Sequence, residues 1–123
     1  MQIIKAINRI DALMPNTYTQ EEKIDWLSAL DSMIKREVID THEGWEAVEF
    51  EGYDQDTPLT KELLVGDPYD DIYVLWLECK IHYTNGEYGK YNNAVIKFND
   101  LFAAFKNDYN RKHMPIGSKF RYY

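Results

Sequence analysis

Residues 68–110, PYDDIYVLWLECKIHYTNGEYGKYNNAVIKFNDLFAAFKNDYN, form the stretch that decides the fold. Ten of the chain's 18 aromatic residues lie in it. In its second half, seven apolar or aromatic side chains recur at alternating intervals of three and four residues, which is the spacing of a single packed stripe on a helix. The stripe consists of Tyr88, Tyr91, Val95, Phe98, Phe102, Phe105 and Tyr109. This half is therefore predicted to be one long helix.

The first half of the stretch predicts another helix, with little solvent-exposed face. Residues 72–77 are apolar at nearly every position, so this helix is expected to lie centrally. Pro68 suits the first position of a helix and Asp67 its cap. The pair Asn85-Gly86 then marks a turn. Such a pair also occurs in β-hairpins, but the helical periodicity on both sides favours an αα-hairpin over about 68–110.

Two further helices are predicted before this hairpin, over about 2–14 and about 19–41. The second begins with Thr19 followed by Glu22, which is the spacing of a capping box. Asp31, in the same helix, is expected to face water. The apolar face of the first helix contains Ile3, Ile7, Ile10 and Met14. The apolar face of the second contains Ile24, Leu27, Leu30, Ile34 and Val38.

An acidic segment over about 45–66 interrupts the helices. Val48 and Phe50 alternate with glutamates, a two-residue period that favours a short strand or an extended arm. Residues 63–65 are apolar and could anchor the segment on the helices or pair with the alternating stretch. From residue 37 to residue 71 there are twelve acids against one base. We expect an extended or hairpin excursion whose acidic surface consists of Glu46, Glu49, Glu51, Asp54 and Asp56.

Residues 111–123, RKHMPIGSKFRYY, are predicted to be a C-terminal docking tail. Pro115 and Gly117 break the helical pattern. From residue 102 onward there are five bases against one acid, so this end is basic while the middle of the chain is acidic. Such opposite charges can attract each other within a chain or between copies. The residues predicted to bind a partner are Arg111, Lys112, Lys119, Phe120, Arg121, Tyr122 and Tyr123.

The length indicates one domain over residues 1–123, and the helical periodicity makes it mostly all-α. A chain of 123 residues with 45% hydrophobic content is long enough to bury a core without disulfides or metals. Cys79 is the single cysteine, which favours a reducing compartment. No apolar run is long enough to span a membrane. The net charge of -7 disfavours non-specific binding to nucleic acid.

No catalytic or cofactor-binding motif is present in the sequence. Glycine-rich nucleotide loops, the H-E-x-x-H zinc motif and the serine-hydrolase elbow are all missing. Cys79 and His82 are three residues apart on a predicted helix, but two ligands are too few for a closed metal site. Asp54 and Asp56 begin like a calcium loop, but Leu59 occupies the position that requires glycine. We therefore expect a protein that is not an enzyme and has no cofactor or metal.

The aromatic stripe and the basic tail each allow more than one interpretation. The aromatic stripe is either core packing within one chain or a surface shared with neighbouring subunits, because tyrosine is enriched where an interface is half wet. The basic tail is a solvated end, an element that docks on a protein, or a contact for nucleic acid. An interaction module is the interpretation that accommodates both features.

Three stretches of the sequence, residues 15–44, 60–99 and 109–123, resemble the head–tail connector (adaptor) proteins of tailed phages and Firmicutes prophages. The phrases that carry the resemblance are PYDDIY (68–73), NGEYGKYNN (85–93) and YNRKHMP (109–115), the last followed by Phe120. Together the three stretches cover about two-thirds of the chain. Residues 45–58 resemble the family least.

The resemblance implies a mostly helical structural protein of the virion, without enzymatic activity. Copies would form a ring of about a dozen subunits beneath the portal, in the neck of the virion, after assembly in the cytoplasm of the bacterial host. The partners implied are the portal protein and the tail or stopper proteins, with DNA only as passing cargo, and the isolated chain can be monomeric. The alternative is a small regulatory or nucleic-acid-binding helical module that acts through its basic tail.

Overall fold

The computed structural model describes residues 1–116, which form a bundle of four α-helices. The helices are α1 (Ile3–Leu13), α2 (Gln20–Ile34), α3 (Ile72–Thr84) and α4 (Tyr88–Lys112). A π-helical turn, Lys35–Ile39, extends α2, and a short 3-10 turn, Trp45–Ala47, follows it. The prediction of a mostly α-helical bundle with an αα-hairpin is confirmed.

The third helix lies at the centre of the bundle. It packs against α1, α2 and α4, whereas α4 packs mainly against α3. Ile72, Tyr73, Leu77 and Ile81 are fully buried along it, as expected for a helix that is apolar on almost every side. Of the two helices of the predicted αα-hairpin, α3 is therefore the central helix of the bundle and α4 lies at its side.

The apolar faces predicted for the two N-terminal helices are confirmed except at Met14, which follows the end of α1 and is only partly buried. Ile3, Ile7 and Ile10 are buried in α1. The five residues predicted to face the core from α2 and its extension, from Ile24 to Val38, are buried as well. The hydroxyl oxygen of Thr19 accepts a hydrogen bond from the backbone N–H of Glu22 at 3.1 Å, so α2 begins where the capping pattern placed it.

The acidic segment contains no strand within residues 1–116, so of the two alternatives for residues 63–65 the pairing with Val48 and Phe50 does not form. The backbone of this segment bonds to α1 instead. The N–H groups of Ile3 and Ile4 donate to the carbonyl oxygens of Lys61 and Leu59, both at 3.0 Å. Residues 63–65 anchor the segment on the helices, because two of the three are buried.

The first helix of the hairpin begins at Ile72, and the predicted start at Pro68 is wrong. Residues 66–71 form consecutive turns. The carbonyl oxygens of Gly66, Tyr69 and Asp70 each accept a hydrogen bond from the backbone N–H three residues later. Asp71, which precedes the helix, makes no capping hydrogen bond with its side chain. The nearby carboxylate of Asp70 lies 3.6 Å from the N-terminal ammonium instead.

Candidate interaction surfaces

Asp31 is the centre of a buried polar cluster that fastens the acidic segment to the bundle. Its two carboxylate oxygens accept hydrogen bonds from the hydroxyls of Tyr53 and Tyr73, each at 2.6 Å, and from the backbone N–H of Leu64 at 3.1 Å. The Tyr73 hydroxyl in turn accepts from the N–H of Val65 at 2.7 Å. One side chain of α2 therefore connects α3 with two points of the acidic segment.

The prediction that Asp31 faces water is wrong, since its side chain is fully buried. Burial raises the pKa of the Asp31 carboxyl above its ordinary value, although the hydrogen bonds from Tyr53 and Tyr73 act in the opposite direction. Burial and the neighbouring Asp31 carboxyl also raise the pKa of both tyrosines, so the hydroxyls keep their protons and remain donors. Every buried polar side-chain atom in residues 1–116 has a hydrogen-bond partner.

The acidic surface named from the sequence lies on the segment that this cluster holds. All five of its side chains are exposed: Glu46, Glu49, Glu51, Asp54 and Asp56. The Asp54 carboxylate accepts hydrogen bonds from the N–H groups of Asp56 and Thr57, so it stabilises its own turn. These acids are therefore exposed on a segment whose backbone is held to the bundle by the hydrogen bonds of Asp31.

The start of the C-terminal tail is attached to the loop that follows α2. The N–H of Ile116 donates to the carbonyl oxygen of Thr41 at 2.8 Å, and the N–H of Glu43 donates to that of Met114 at 2.9 Å. Between them, the imidazole of His42 lies 2.5 Å from the side-chain oxygen of Asn110 in α4. Residues 114–116 are thus part of the fold.

Two of the residues predicted to bind a partner lie in the last turn of α4. Arg111 and Lys112 are exposed, and both pair with Asp108, at 3.4 Å and 2.9 Å. The hydrogen bond from Lys112 and the charge of Arg111 lower the pKa of the Asp108 carboxyl. The other five predicted residues, Lys119, Phe120, Arg121, Tyr122 and Tyr123, lie outside the described residues.

A groove between α3 and α4 contains three residues of the aromatic stripe, Tyr91, Val95 and Phe98. Its volume is about 510 Å³. Phe98 and Phe105 are buried, but Tyr88, at the start of the stripe, is 61% exposed. The lining consists of Trp76, Cys79, Lys80, Tyr83, Tyr91, Val95, Phe98 and Asn99. The stripe therefore forms core in its middle and an open surface at its beginning.

Cys79 and His82 do not form a metal site. The imidazole of His82 lies between two carboxylates, with Nδ1 3.1 Å from Glu87 and Nε2 3.6 Å from Glu78. Within the described part of the chain, no group of three or more histidine, cysteine, aspartate or glutamate side chains could hold a metal ion. His82 therefore connects the last turns of α3 with Glu87, the residue that precedes α4.

The Cys79 thiol is expected to react slowly in the folded protein. Burial and the neighbouring Glu78 raise its pKa to about 11. At pH 8 the thiolate fraction should consequently be about a hundredfold lower than for a thiol of ordinary pKa. Labelling with an aromatic disulfide reagent should thus be at least about a hundredfold slower than in the same protein unfolded by guanidinium. Equal rates in the two states would contradict the burial of this side chain.

No protein-family model, curated protein or solved structure matches this chain. None of the helices in residues 1–116 combines the length and apolar character that crossing a membrane requires.

Proposed function

We propose that this chain is a structural subunit of the head–tail connector of a tailed phage or prophage, assembled as a ring between the portal protein and the tail. The sequence resemblance supports the proposal, and so does the character of the described surfaces. Residues 1–116 present an exposed acidic segment and an aromatic groove, while each of their buried polar side-chain atoms has a hydrogen-bond partner. Such a molecule is suited to contacts with other proteins.

The observation that carries the proposal is that the buried Asp31 carboxylate binds the acidic segment to the bundle. Burying a carboxylate costs several kcal/mol unless hydrogen bonds compensate for it. Here the compensated carboxylate binds the acidic segment, which carries exposed glutamates and aspartates, to the bundle at Tyr53 and Leu64. Solubility alone would not require a fixed shape for this segment. A subunit that repeats the same contact around a ring does require it.

In this proposal the C-terminal tail binds the portal. The pairing of residues 114–116 with the loop after α2 fixes the point from which the remaining seven residues begin. Those residues, GSKFRYY, combine two bases with three aromatic side chains. Aromatic and arginine side chains are the residues that most often dominate the affinity of protein interfaces.

The experiment is a deletion of residues 117–123, tested against the portal protein encoded in the same phage or prophage genome. The full chain should co-purify with the portal after co-expression and should add a ring in electron micrographs. The truncated chain should keep its circular dichroism spectrum and melting temperature but lose portal binding. The cut falls after Ile116 because a deletion from Arg111 would also remove the end of α4 and the pairing of residues 114–116.

A matched control replaces a pair of charges elsewhere on the surface. Lys5→Gln together with Arg9→Gln removes two bases from exposed positions of α1, and this variant should bind the portal as well as the full chain does. Portal binding that survives the tail deletion would contradict the role of the tail. DNA binding that weakens steeply with salt, in the absence of portal binding, would favour the nucleic-acid module instead.

A further inference from the structure

The groove between α3 and α4 leaves aromatic surface open to solvent. Tyr83, on its wall, is 57% exposed, and the ring of Tyr83 lies 5.3 Å from that of Tyr91. At the deeper end, the ring of Trp76 lies 5.4 Å from that of Phe98. A contiguous aromatic surface on a small protein commonly marks a site where another molecule docks.

Two lysines lie over aromatic rings in and beside this groove. The ammonium of Lys80 lies 4.7 Å from the ring centre of Trp76, and that of Lys106 lies 5.0 Å from that of Phe102. Both cations are thus held over the aromatic rings by cation–π contacts. Lys80 lines the groove itself, and Phe102 stacks on the Phe98 ring of its wall. The expected occupant therefore combines acidic and apolar side chains.

Residues 45–51, WEAVEFE, have this composition and lie on the acidic segment. None of the three residues of the turn Trp45–Ala47 is buried, and the indole of Trp45 is 40% exposed. Phe50 is partly buried between two exposed glutamates, Glu49 and Glu51. We propose that the α3–α4 groove of one copy of this chain binds residues 45–51 of a neighbouring copy.

Within residues 1–116, the lining of this groove comes from α3 and α4 alone. None of residues 45–51 lines it. Lys119 and Arg121, in residues 117–123 of the same chain, carry the same sign of charge as Lys80 and Lys106, which disfavours that stretch as the occupant.

The tail of another copy is a poorer occupant than residues 45–51. Its bases, Lys119 and Arg121, would meet the like charges of Lys80 and Lys106. Residues 45–51 carry three glutamates and no base. Complementary charge thus selects the acidic segment and leaves the tail for the portal.

The contact is heterologous, because it joins two different surfaces of the same chain. Contacts of this kind repeat from subunit to subunit and close into a ring when the rotation permits. The inference thus rests on the proposed function and supplies its subunit-to-subunit interface. Trp45, Tyr83 and Trp76 would form the apolar centre, and the glutamate–lysine pairs would form the rim.

Carbodiimide cross-linking tests the contact directly, because this reagent joins a lysine to a carboxylate that touches it. A mixture of unlabelled and ¹⁵N-labelled protein at about 1 mM, where even a millimolar contact is half occupied, distinguishes links between copies from links within one. Mass spectrometry should find Lys80 or Lys106 of one copy joined to Glu46, Glu49 or Glu51 of another. Links from these acids to Lys119 instead, or no links between copies, would overturn the proposal.

Charge reversal gives a second, quantitative test. Lys80→Glu and Glu49→Lys should each weaken self-association in sedimentation equilibrium by about three- to tenfold, since Lys80 lines the groove. An equimolar mixture of the two variants should restore it, because every contact in an alternating array then pairs opposite charges. Lys97→Glu is the matched control, since Lys97 is exposed on α4 but does not line the groove. An equal effect of Lys97→Glu, or no rescue in the mixture, would reject the assigned surfaces.

The same cross-linking on the portal-bound assembly separates this inference from the proposed function. Portal binding without links between the groove lysines and residues 46–51 would reject the subunit contact and leave the connector proposal standing. Linked subunits that never bind the portal would establish the contact and reject the connector role.

Discussion

Replacing Asp31 with alanine is expected to lower the free energy of unfolding by about 3–5 kcal/mol, because a buried donor left without its acceptor costs about 1–3 kcal/mol and several donors are affected at once. The substitution leaves three donors without their acceptor, namely the hydroxyls of Tyr53 and Tyr73 and the N–H of Leu64. All three lie where water does not replace the lost carboxylate, because the Asp31 side chain is fully buried. Urea denaturation at pH 7, followed by circular dichroism, measures the loss.

The matched control is Asp25→Ala in the same helix, because the side chain of Asp25 is exposed. This variant should change stability by no more than about 0.5 kcal/mol. Asp31→Asn should cost less than alanine but more than this control, because the amide accepts at one atom while its NH₂ group offers donors to groups that are themselves donors. A loss below about 1 kcal/mol for Asp31→Ala would contradict the buried cluster.

The raised pKa of Asp31 also predicts the pH dependence of this difference. Since burial raises the carboxyl pKa in the folded state, the unfolded chain releases this proton at a lower pH than the folded chain does. Stability contributed at this site is therefore highest below the unfolded carboxyl pKa and decreases as pH rises through the folded value. The free energy of unfolding of the native chain should accordingly decrease relative to that of Asp31→Asn between these two values.

Replacing Leu77 with alanine is expected to lower the free energy of unfolding by about 2–5 kcal/mol. Leu77 is fully buried on α3, the helix that contacts each of the other three. Truncation removes the transfer free energy of the lost methyl groups and leaves a cavity that the surrounding helices fill only in part. Urea denaturation measures the loss here as well.

Ile96→Ala is the matched control for this core variant, because Ile96 lies on α4 with 60% of its side chain exposed. It should cost no more than about 0.5 kcal/mol beyond helix propensity. A cost for Leu77→Ala as small as that of the control would show that α3 is not central. A glutamate-specific protease distinguishes the two destabilised variants when they are compared at equal stability. Cleavage after Glu46, Glu49 and Glu51 should be faster in Asp31→Ala than in Leu77→Ala, because only Asp31→Ala releases the acidic segment.

The helices and their faces were predictable because the signals are local. The alternating spacing of apolar residues placed Ile3, Leu27 and Phe98 correctly in the core. The Thr19 cap was predictable for the same reason, since its partner Glu22 is three residues away. By contrast, the start of α3 was misplaced because Asp67 and Pro68 fit a helix start equally well as a turn, and only the surrounding contacts distinguish the two.

The burial of Asp31 could also have been predicted from its spacing, although a charged residue is ordinarily assigned to the surface. It lies four residues after Leu27 and three before Ile34, on the line of the apolar face. A carboxylate on that line signals a buried polar cluster. Its partners were not predictable, because Tyr53 and Tyr73 are 22 and 42 residues away and no local pattern connects them to Asp31.

The sequence by itself thus determined a bundle of helices, their inward faces and the separation of acidic and basic segments. These properties depend on the helical period and on composition, which act over a few residues. Only the tertiary structure decided that the acidic segment is fixed by Asp31, that residues 114–116 join the fold, and that the aromatic stripe opens into a groove beside Lys80 and Lys106. These features depend on contacts between residues that are distant in sequence, and such contacts exist only once the helices have packed.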